Sequence, residues 1–357
     1  MIYDQYTNRI KAIVANSNKR KDLLKGIVNE MDGNQSSRKE IFEAQRNFNS
    51  SSHLNAPKPL QNILSPVLLQ NTTLGHPDFK HLKGTINTEQ HYIVSVFIDI
   101  AGSTNLFRSY DLDEIYLITN TIQVAALHTC ITVGGHAQRL QGDGVFAYFG
   151  GKSISRQKAV EMAVTACSMF TYFVANDLKN IFLGDEIENI KTRIGIDFGD
   201  DKDVLWANFG VMQLSELTTL SLHTSLASKM VSSAKLNGIV VGDNIKTLLN
   251  VDDAIFKLVT NSKGEVDRYI FQDRAKGFNY TQYEFDWYKY LKTLPFIGSD
   301  QNGKLYLIDP EAVEKERIAK LIKSASLITS GNAFTTPTGS ISTSGVQNQP
   351  HRFHYEK

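Results

Sequence analysis

Two aspartates in this sequence stand where their carboxylates could share a cation. Asp99 follows an apolar run that begins at Val94 and has the pattern of a buried strand. Asp143 lies between Gly142 and Gly144, and the strand-like runs on either side of this turn predict a hairpin. Two carboxylates at the ends of adjacent strands repel each other unless a cation lies between them. The pattern is therefore typical of a site for one or two hard divalent ions completed by substrate phosphates.

Small residues and a guanidinium accompany these aspartates. The turn Gly102-Ser103-Thr104 opens a helical pattern, and the free backbone N–H groups at a helix start suit an anion. Arg139 shares one face of an extended chain with Asp143. Together these groups predict a site for a metal ion and a nucleoside triphosphate. Structural roles also remain open for the two aspartates, one as a helix N-cap and the other as an ordinary turn residue.

The overall composition excludes several functional classes. The chain of 357 residues has 38 Lys and Arg against 37 Asp and Glu, and its net charge of +1 does not indicate binding to nucleic acid or to a membrane surface. Its two cysteines, Cys130 and Cys167, fall in apolar helical patterns, which predicts buried thiols in a reducing compartment. The sequence shows no secretion signal and no apolar run near the ~20 residues of a membrane span. We therefore expect a cytoplasmic protein without a membrane span in this chain.

Changes in composition along the chain predict four segments. Residues 1–90 are polar and rich in Asn, Ser and Lys, which indicates a helical and linker segment. Residues 91–275 alternate short apolar strands with longer helical patterns, as in an α+β or α/β domain with one main sheet. An aromatic and helical extension covers 276–323, and we expect its aromatic residues to pack against the main domain. Residues 324–357 are predicted to form a disordered tail, since Ser, Thr and Gly dominate most of this stretch.

The hydrophobic pattern also predicts individual elements of the main domain. A helix is expected over 155–174, and strands over 191–199, 239–243 and 266–271. The run ASKMVSSAKLNG predicts the end of a helix with Gly238 as its cap.

Four segments of this domain resemble the class III nucleotidyl cyclases, the family of adenylate and guanylate cyclase catalytic domains. The segments are FIDIAGST (97–104), RLQGDGVFAYFG (139–150), RIGIDFGDDKDVLWANFG (193–210) and LASKMVSSAKLNGIVVGD (226–243). The resemblance covers roughly residues 91–275. It implies a ferredoxin-like α+β catalytic domain, here with helical N- and C-terminal extensions. It also implies a homodimer with active sites shared between subunits, and two divalent metal ions, Mn²⁺ or Mg²⁺.

Carried onto this sequence, the resemblance assigns roles to individual residues. Asp99 and Asp143 are the implied metal ligands, with the backbone carbonyl of Ile100 assisting. The turn at residues 102–104 is implied to bind the substrate. The ribose 3′-hydroxyl of a nucleoside triphosphate would attack the α-phosphate, so that a 3′,5′-cyclic nucleotide and pyrophosphate form.

Some positions depart from the family pattern. Ser225 stands where the family places its catalytic Asn, and Lys229 stands where it places a transition-state Arg. The two residues are four apart, so one helix could present both to the site. Lys229 keeps the positive charge that a triphosphate needs, although as a point charge and not as a bidentate fork. A second base-reading position of the family falls near Thr218.

The departure at Arg139 bears on the choice of base, because adenylate cyclases typically place Lys there and guanylate cyclases Glu. Arginine only donates hydrogen bonds, so it best suits uracil, which offers two carbonyl acceptors, and next cytosine, which offers one carbonyl and a ring nitrogen. Guanine would need an acceptor such as Glu, which is absent at this position. This departure resembles the pyrimidine cyclases of the bacterial Pycsar antiphage system. In that group a tyrosine near the start of the first strand helps to select the base, and Tyr92 is the matching residue.

The resemblance therefore predicts a pyrimidine cyclase that converts UTP or CTP, with UTP slightly favoured, to cUMP or cCMP as a second messenger of antiphage defence. One alternative is a purine cyclase in signalling. Another is a degenerate cyclase-like module that binds nucleotide and serves in dimerisation. The departures from the family pattern at residues 225 and 229 keep this alternative open.

Overall fold

The structure, a computed structural model, describes residues 3–26, 73–179, 181, 190–261, 263–266 and 280–308, with shorter stretches between 314 and 342. The chain divides into two compact units, residues 1–306 and 307–357. The larger unit carries every candidate site residue. Most of the predicted strand at 266–271 and the linker part of residues 1–90 lie outside the described residues.

The elements of the described residues alternate strands with helices. The α-helices are α1 (Asp4–Gly26), α2 (Leu112–Thr132), α3 (Arg156–Tyr172), α4 (Leu222–Ser233), α5 (Asp243–Leu248) and α6 (Trp287–Thr293). The strands are β1 (Glu89–Gln90), β2 (Ile93–Ala101), β3 (His136–Gln141), β4 (Gly144–Phe149), β5 (Lys191–Gly199), β6 (Val204–Val211), β7 (Leu214–Ser221), β8 (Gly238–Gly242), β9 (Phe256–Leu258), β10 (Gln282–Phe285), β11 (Ile297–Ser299) and β12 (Leu305–Leu307). Short 3-10 helices cover Pro77–Leu82, Ser103–Arg108, Asp201–Asp203 and Asp253–Ile255, and a π-helical turn covers Phe173–Asp177.

A seven-stranded sheet in the order β3-β4-β2-β5-β8-β10-β9 forms the centre of the larger unit. Its first part follows the connection β2-α2-β3-β4-α3-β5, which is the ferredoxin-like βαββαβ unit. Strands β5 and β8 pair in parallel, whereas β2 pairs with β4 and with β5 in antiparallel fashion. The predicted α+β, ferredoxin-like fold is confirmed by this topology. The sheet extends beyond residue 275, where the sequence predicts the main domain to end, because β10 pairs with β8.

Helix α4 crosses the sheet at Gly195 of β5. A Cβ at Gly195 would lie 2.1 Å from the carbonyl oxygen of Ala227 and 2.9 Å from the backbone nitrogen of Val231. Only glycine therefore permits this close approach. The contact fixes the height of α4 above the ends of β2 and β5, and α4 is the helix that carries Ser225 and Lys229.

The end of α4 differs from the sequence prediction. The helix ends at Ser233, and Gly238 is the first residue of β8 and not a helix cap. Asn237 takes the left-handed conformation in its place, with φ of 56°. Its backbone N–H donates to the Thr192 carbonyl at 2.7 Å, and its side-chain oxygen accepts from the Thr192 N–H at 3.0 Å. These two hydrogen bonds to β5 end the helix early and align β8 beside β5.

A separate three-stranded sheet, β1-β6-β7, stands beside the central sheet. We call its long hairpin, β6 with β7, the arm. Trp206 anchors the arm, because its buried ring stacks on Phe79 with ring centroids 4.0 Å apart. The tip of the arm is apolar and open to solvent, and the exposed fractions of Val211, Met212 and Leu214 are 62%, 84% and 84%.

Helix α2 is a core helix of the larger unit. Among the described residues it is the one helix long and apolar enough to span a membrane, and 56% of its apolar window is buried inside the protein. Helix α1 packs on it, since the Tyr3 hydroxyl lies 2.8 Å from Thr129 Oγ1 and the Tyr6 hydroxyl lies 2.5 Å from His128 Nδ1. The apolar character of α2 is explained by this packing.

Several aromatic residues after position 276 pack into the larger unit, as expected from the sequence. Tyr280, Phe285 and Tyr290 are buried, and the Tyr290 hydroxyl lies 2.9 Å from Thr165 Oγ1 of α3. In the smaller unit the described residues include a helical stretch at 317–323. Within the predicted disordered tail, Phe334–Thr335 and Ile341–Ser342 form an antiparallel pair of short strands.

Candidate active site

A polar cleft of about 310 Å³ opens at the end of β2, beside α4. Its polar lining comes from two sources, the ends of three strands and one face of the helix. The polar residues that line it are Asp99, Gln141, Arg193, Ser228 and Ser232.

The β3–β4 hairpin brings Asp143 to the same end of the sheet as Asp99. Its two-residue turn starts at Gly142, whose φ of 61° is typical of a type II′ turn. The register that pairs Ile98 with Val145 continues toward Asp99 and Gly144. A Cβ at Gly144 would lie 2.9 Å from the Ile98 carbonyl oxygen, so the turn closes tightly on β2. The structure therefore places the two aspartates that the sequence singles out at the same end of the sheet.

Gln123 of α2 holds this hairpin in place, and sequence reasoning missed it. Its Nε2 donates to the carbonyl oxygens of Gly142 and Gly144, both at 3.0 Å. The side chain is buried, so these hydrogen bonds are shielded from water. They fix the backbone on both sides of Asp143. The signal available in the sequence was a glutamine between Ile122 and Val124, on the apolar side of the helical pattern.

Arg193 is the ion-pair partner of Asp99, which the sequence reasoning also missed. The two residues lie opposite each other in the β2–β5 register. Arg193 Nη2 donates to Asp99 Oδ2 at 2.8 Å, and each side chain is 37% exposed. In this state the guanidinium compensates the carboxylate.

The donors at this end of the sheet fit a hard divalent cation. Asp99, Asp143 and the Ile100 carbonyl offer oxygen ligands alone, which is the ligand type that Mg²⁺ and Mn²⁺ prefer. The described residues contain no group of three or more His, Cys, Asp or Glu side chains placed to hold a metal. An ion bound here would thus keep most of its coordination for water or for substrate phosphates, as is usual for Mg²⁺.

The turn after Asp99 differs in detail from the expectation of a longer helix. Gly102 is left-handed, with φ of 89°, and a six-residue 3-10 helix follows at Ser103–Arg108. The long helix α2 begins later, where Asp111 and Glu114 form a capping box. Gly102, Ser103 and Thr104 thus form a short turn beside Asp99, and their contact with a substrate remains a prediction.

Arg139 is paired with a glutamate on the arm. Its Nε donates to Glu216 Oε1 at 3.0 Å, and its Nη2 donates to Glu216 Oε2, so the pair is bidentate. A β-bulge in β3 shifts the register between Ala137 and Arg139. The sequence analysis found no carboxylate acceptor to accompany Arg139, and the structure supplies one 77 residues away.

A network of hydroxyl groups lies along β7, the strand that carries Glu216. The Tyr148 hydroxyl lies 3.1 Å from Thr218 Oγ1 and 2.8 Å from Thr219 Oγ1. Thr219 Oγ1 lies 3.0 Å from Thr224 Oγ1 at the start of α4. The second predicted base-reading position, near Thr218, therefore lies on the same strand as Glu216 and is already engaged in a hydroxyl network.

Ser225 and Lys229 both lie on the exposed face of α4, as their spacing predicts. The Ser225 hydroxyl donates to the Ser221 carbonyl at 3.2 Å. Neither residue lines the cleft beside Asp99, whose α4 lining comes from Ser228, Val231 and Ser232. Their catalytic roles remain predictions.

The structure places Tyr92 away from Asp99 of the same chain, and its role in base selection remains a prediction. Tyr92 precedes β2, while Asp99 lies seven residues further on, a separation of about 23 Å in a strand. Its side chain is buried, and its hydroxyl donates to the carbonyls of Gly151 and Ile154. An exposed cation, Arg156, lies 5.2 Å from its ring. Tyr92 thus closes the opposite end of the sheet.

A buried ionisable network lies beneath α4. Asp197 of β5 is fully buried and accepts hydrogen bonds from His223 Nδ1 at 2.8 Å and from the Tyr280 hydroxyl at 2.5 Å. Burial disfavours the imidazolium, but the hydrogen bond and the negative charge of Asp197 outweigh this effect and raise the pKa of His223. The network fastens the first turn of α4 to the sheet.

Comparison with known proteins finds similarity to nucleotide cyclases. No model of a protein family matches the chain. A cytidylate cyclase of Staphylococcus aureus is 38% identical over 236 residues, which cover 65% of this chain and 55% of that protein. A cytidylate cyclase of Escherichia coli is 35% identical over 232 residues, which cover 62% of this chain and 49% of that protein. The chain therefore matches about half the length of these curated relatives.

Among solved structures, the crystal structure of the adenylyl cyclase CyaB from P. aeruginosa matches with a TM-score of 0.45 and 19% identity, over 56% of this chain and 95% of that one. The predicted resemblance to nucleotide cyclases, and to pyrimidine cyclases among them, is confirmed by the curated relatives.

Proposed function

We propose that this chain is a pyrimidine nucleotide cyclase, which converts CTP or UTP to the 3′,5′-cyclic nucleotide and pyrophosphate. The observation that carries the proposal is the placement of Asp99 and Asp143 at the same end of the sheet, in a chain that is 38% identical over 236 residues to a cytidylate cyclase. An acidic pair without a nearby lysine or arginine cluster would favour a metal alone. Here Lys229 of α4 adds a positive charge of the kind that a triphosphate needs.

Asp99, Asp143 and the Ile100 carbonyl would hold one or two divalent ions, Mn²⁺ or Mg²⁺. Such ions supply Lewis acidity that lowers the pKa of the ribose 3′-hydroxyl and neutralises the phosphates. In the reaction, a bond forms between ribose O3′ and the α-phosphorus, and the bond from that phosphorus to the bridging oxygen breaks. Pyrophosphate leaves, and the hydroxyl proton passes to solvent.

Positive charge on α4 would act on the same substrate. Lys229 would stabilise the negative charge that develops on the phosphates, and Ser225 would donate a hydrogen bond beside it. Neither side chain lines the cleft of its own chain, which supports a site completed by a second copy. In that arrangement the aspartates of one subunit meet Lys229 and Arg139 of the other.

The arm offers a surface for that second copy. Three exposed apolar side chains, Val211, Met212 and Leu214, cluster at its tip, and such a cluster is unusual on a surface that stays in water. A homodimer that covers the arm would bury this cluster. We propose that the active enzyme is this homodimer.

The cellular setting follows as part of the same proposal. Cys130 and Cys167 are free and buried, and burial raises the pKa of the Cys130 thiol to about 12, so these thiols fit a reducing cytoplasm. The cyclic pyrimidine nucleotide would serve there as a second messenger of antiphage defence.

One incubation tests the proposal against its alternatives. Purified protein with Mn²⁺ is given CTP, UTP, ATP and GTP separately, and cyclic products are identified by mass spectrometry. Cyclic CMP or cyclic UMP is the expected product, whereas cyclic AMP or GMP as the main product would establish a purine cyclase. If none of the four nucleotides gives a cyclic product, the degenerate module that binds nucleotide is the remaining alternative.

The matched variants for this assay are Asp99→Asn and Asp253→Asn. Asp99→Asn should lower turnover at least about 100-fold while the melting temperature stays within a few degrees. Asp253 is an exposed carboxylate far from the cleft, paired with Lys246 at 3.3 Å, and its variant should keep normal activity. Normal turnover by Asp99→Asn would exclude the metal-dependent mechanism.

A further inference from the structure

The ion pair between Arg139 and Glu216 has an unusual origin in the backbone. Side chains on a regular strand alternate between its two faces, so neighbours at 138 and 139 would point apart. The β-bulge in β3 removes this alternation. Gln138 Nε2 then donates to Glu216 Oε1 at 3.0 Å and to the Leu217 carbonyl at 2.7 Å, beside the bidentate contact from Arg139. Two consecutive residues of β3 therefore orient one carboxylate on the arm.

The pair keeps free hydrogen-bonding capacity. A guanidinium has five N–H donors, and the contact with Glu216 uses one on Nε and one on Nη2 of Arg139. Three donors remain, two on Nη1 and one on Nη2. The carboxylate of Glu216 also retains lone pairs, and its side chain is 35% exposed while that of Arg139 is 48% exposed. A ligand at this edge would thus meet donors from Arg139 next to an acceptor from Glu216.

This order of donors and acceptor matches cytosine and not uracil. Cytosine presents two acceptors, O2 and N3, followed by the donor N4 amino group. Uracil presents a donor at N3 and an acceptor at O4, so its N3–H would face the guanidinium and its O4 would face the carboxylate. We propose that Glu216 is a specificity-determining residue, which accepts from the N4 amino group and selects cytosine over uracil. This inference rests on the proposed function and replaces the slight preference for UTP that Arg139 alone suggests.

The test measures how much of the preference for CTP depends on Glu216. Initial rates give kcat/KM for CTP and UTP with the wild-type protein and with Glu216→Gln. The amide of Gln can donate to O4 as well as accept, so the ratio of CTP to UTP should fall at least tenfold in the variant. Glu284→Gln is the matched control, because it removes a similar ion pair, with Lys235 at 2.7 Å, at the other side of the sheet. Its ratio should equal that of the wild type.

A purely structural role of Glu216 predicts a different result. If the carboxylate served only to hold Arg139, Glu216→Gln would lower kcat/KM for both nucleotides by the same factor. The triphosphate of 2-pyrimidinone, which lacks any group at C4, sharpens the comparison. Wild-type protein should discriminate between CTP and this analogue at least tenfold, and Glu216→Gln should discriminate much less. An unchanged ratio in the variant would overturn the inference.

Binding separates this inference from the proposed reaction. The 3′-deoxy forms of CTP and UTP lack the attacking hydroxyl, and calorimetry in Mn²⁺ gives their Kd values without turnover. Tighter binding of 3′-deoxy-CTP that Glu216→Gln abolishes supports base selection even if no cyclic product forms. Pyrimidine cyclisation with a CTP to UTP ratio that is insensitive to Glu216 would retain the proposed function and refute the role of Glu216.

Discussion

Arg193 lies directly across the strand pair from Asp99 and donates to its Oδ2 at 2.8 Å. A metal ion bound by Asp99 would meet this guanidinium as a competing cation, since like charges repel at close range. Arg193→Gln should therefore tighten Mn²⁺ binding in the absence of nucleotide, by about threefold or more, as titration followed by electron paramagnetic resonance would show. Arg156→Gln, which breaks an ion pair with Asp200 elsewhere on the protein, should leave Mn²⁺ affinity unchanged. Weaker Mn²⁺ binding by Arg193→Gln would show that the guanidinium does not compete with the metal ion for Asp99.

The hairpin that carries Asp143 depends on Gln123. Gln123→Leu removes the donor to the partly buried Gly142 carbonyl and the buried Gly144 carbonyl, so the free energy of unfolding should fall by about 1–3 kcal/mol. Because the turn loses its fixed position, Mn²⁺ affinity should also fall several-fold. Denaturant unfolding and the same Mn²⁺ titration measure the two effects. Thr119→Ala, on the same helix, breaks one local hydrogen bond to the Ile115 carbonyl and should leave Mn²⁺ affinity intact.

A shared active site predicts complementation between inactive chains. Asp99→Asn and Lys229→Ala should each abolish activity as homodimers. Mixing the two proteins should restore up to about a quarter of the wild-type activity, because a heterodimer then contains one intact site made from both chains. Activity is measured before and after subunit exchange. An inactive mixture in which exchange is demonstrated, or full activity in a strictly monomeric wild-type protein, would refute the shared site.

Tyr92 should affect stability and leave the choice of base unchanged. Tyr92→Phe removes the hydroxyl that donates to the Gly151 and Ile154 carbonyls, and the free energy of unfolding should fall by about 1–2 kcal/mol. The ratio of kcat/KM for CTP to that for UTP should remain within about twofold of the wild-type ratio. A shift of that ratio by tenfold would restore Tyr92 as a base-selecting residue, contrary to its place in the structure.

The buried pair of His223 and Asp197 predicts a pH dependence of stability. The pKa of His223 is raised in the folded protein, so its contribution is fully present below the unfolded value of ~6.5 and is lost as the pH rises through the folded value. The free energy of unfolding should therefore be larger at pH 6.5 than at pH 9. His223→Gln should reduce this decline, whereas His81→Gln, at an exposed histidine, should retain it in full. The remaining decline comes from groups such as the buried Cys130 and Cys167 thiols, because burial raises their pKa values in the folded protein. Burial lowers the pKa values of His76 and His128, so these two histidines titrate below the range from pH 6.5 to pH 9.

Local patterns in the sequence predict the parts of the site that depend on neighbours along the chain. The apolar run before Asp99 and the Gly-Asp-Gly turn at 142–144 determine a strand end and a hairpin, and both occur as predicted. The alternation of strand and helix patterns also predicts the α+β class. It does not predict the early end of α4 or the short 3-10 turn at Ser103–Arg108. The early end of α4 depends on hydrogen bonds between Asn237 and Thr192 of β5, which is 45 residues away.

The partners of the site residues could not be predicted in the same way. Arg193 meets Asp99 across 94 positions, and Glu216 meets Arg139 across 77. Strand register and one β-bulge decide these contacts, and neither leaves a signal in composition or periodicity. The separation of Tyr92 from Asp99 likewise depends on the strand, since the extended backbone turns seven residues of sequence into about 23 Å.

The arm has a consequence for how nucleotide and protein concentration act together. Glu216 lies on the same hairpin as Met212 and Leu214, so whatever covers the apolar tip also restrains one half of the ion pair with Arg139. Self-association and nucleotide binding would then order a common element, and by thermodynamic linkage each must favour the other by the same factor. Added nucleotide should lower the concentration at which chains associate, and the apparent KM should fall as the enzyme becomes more concentrated.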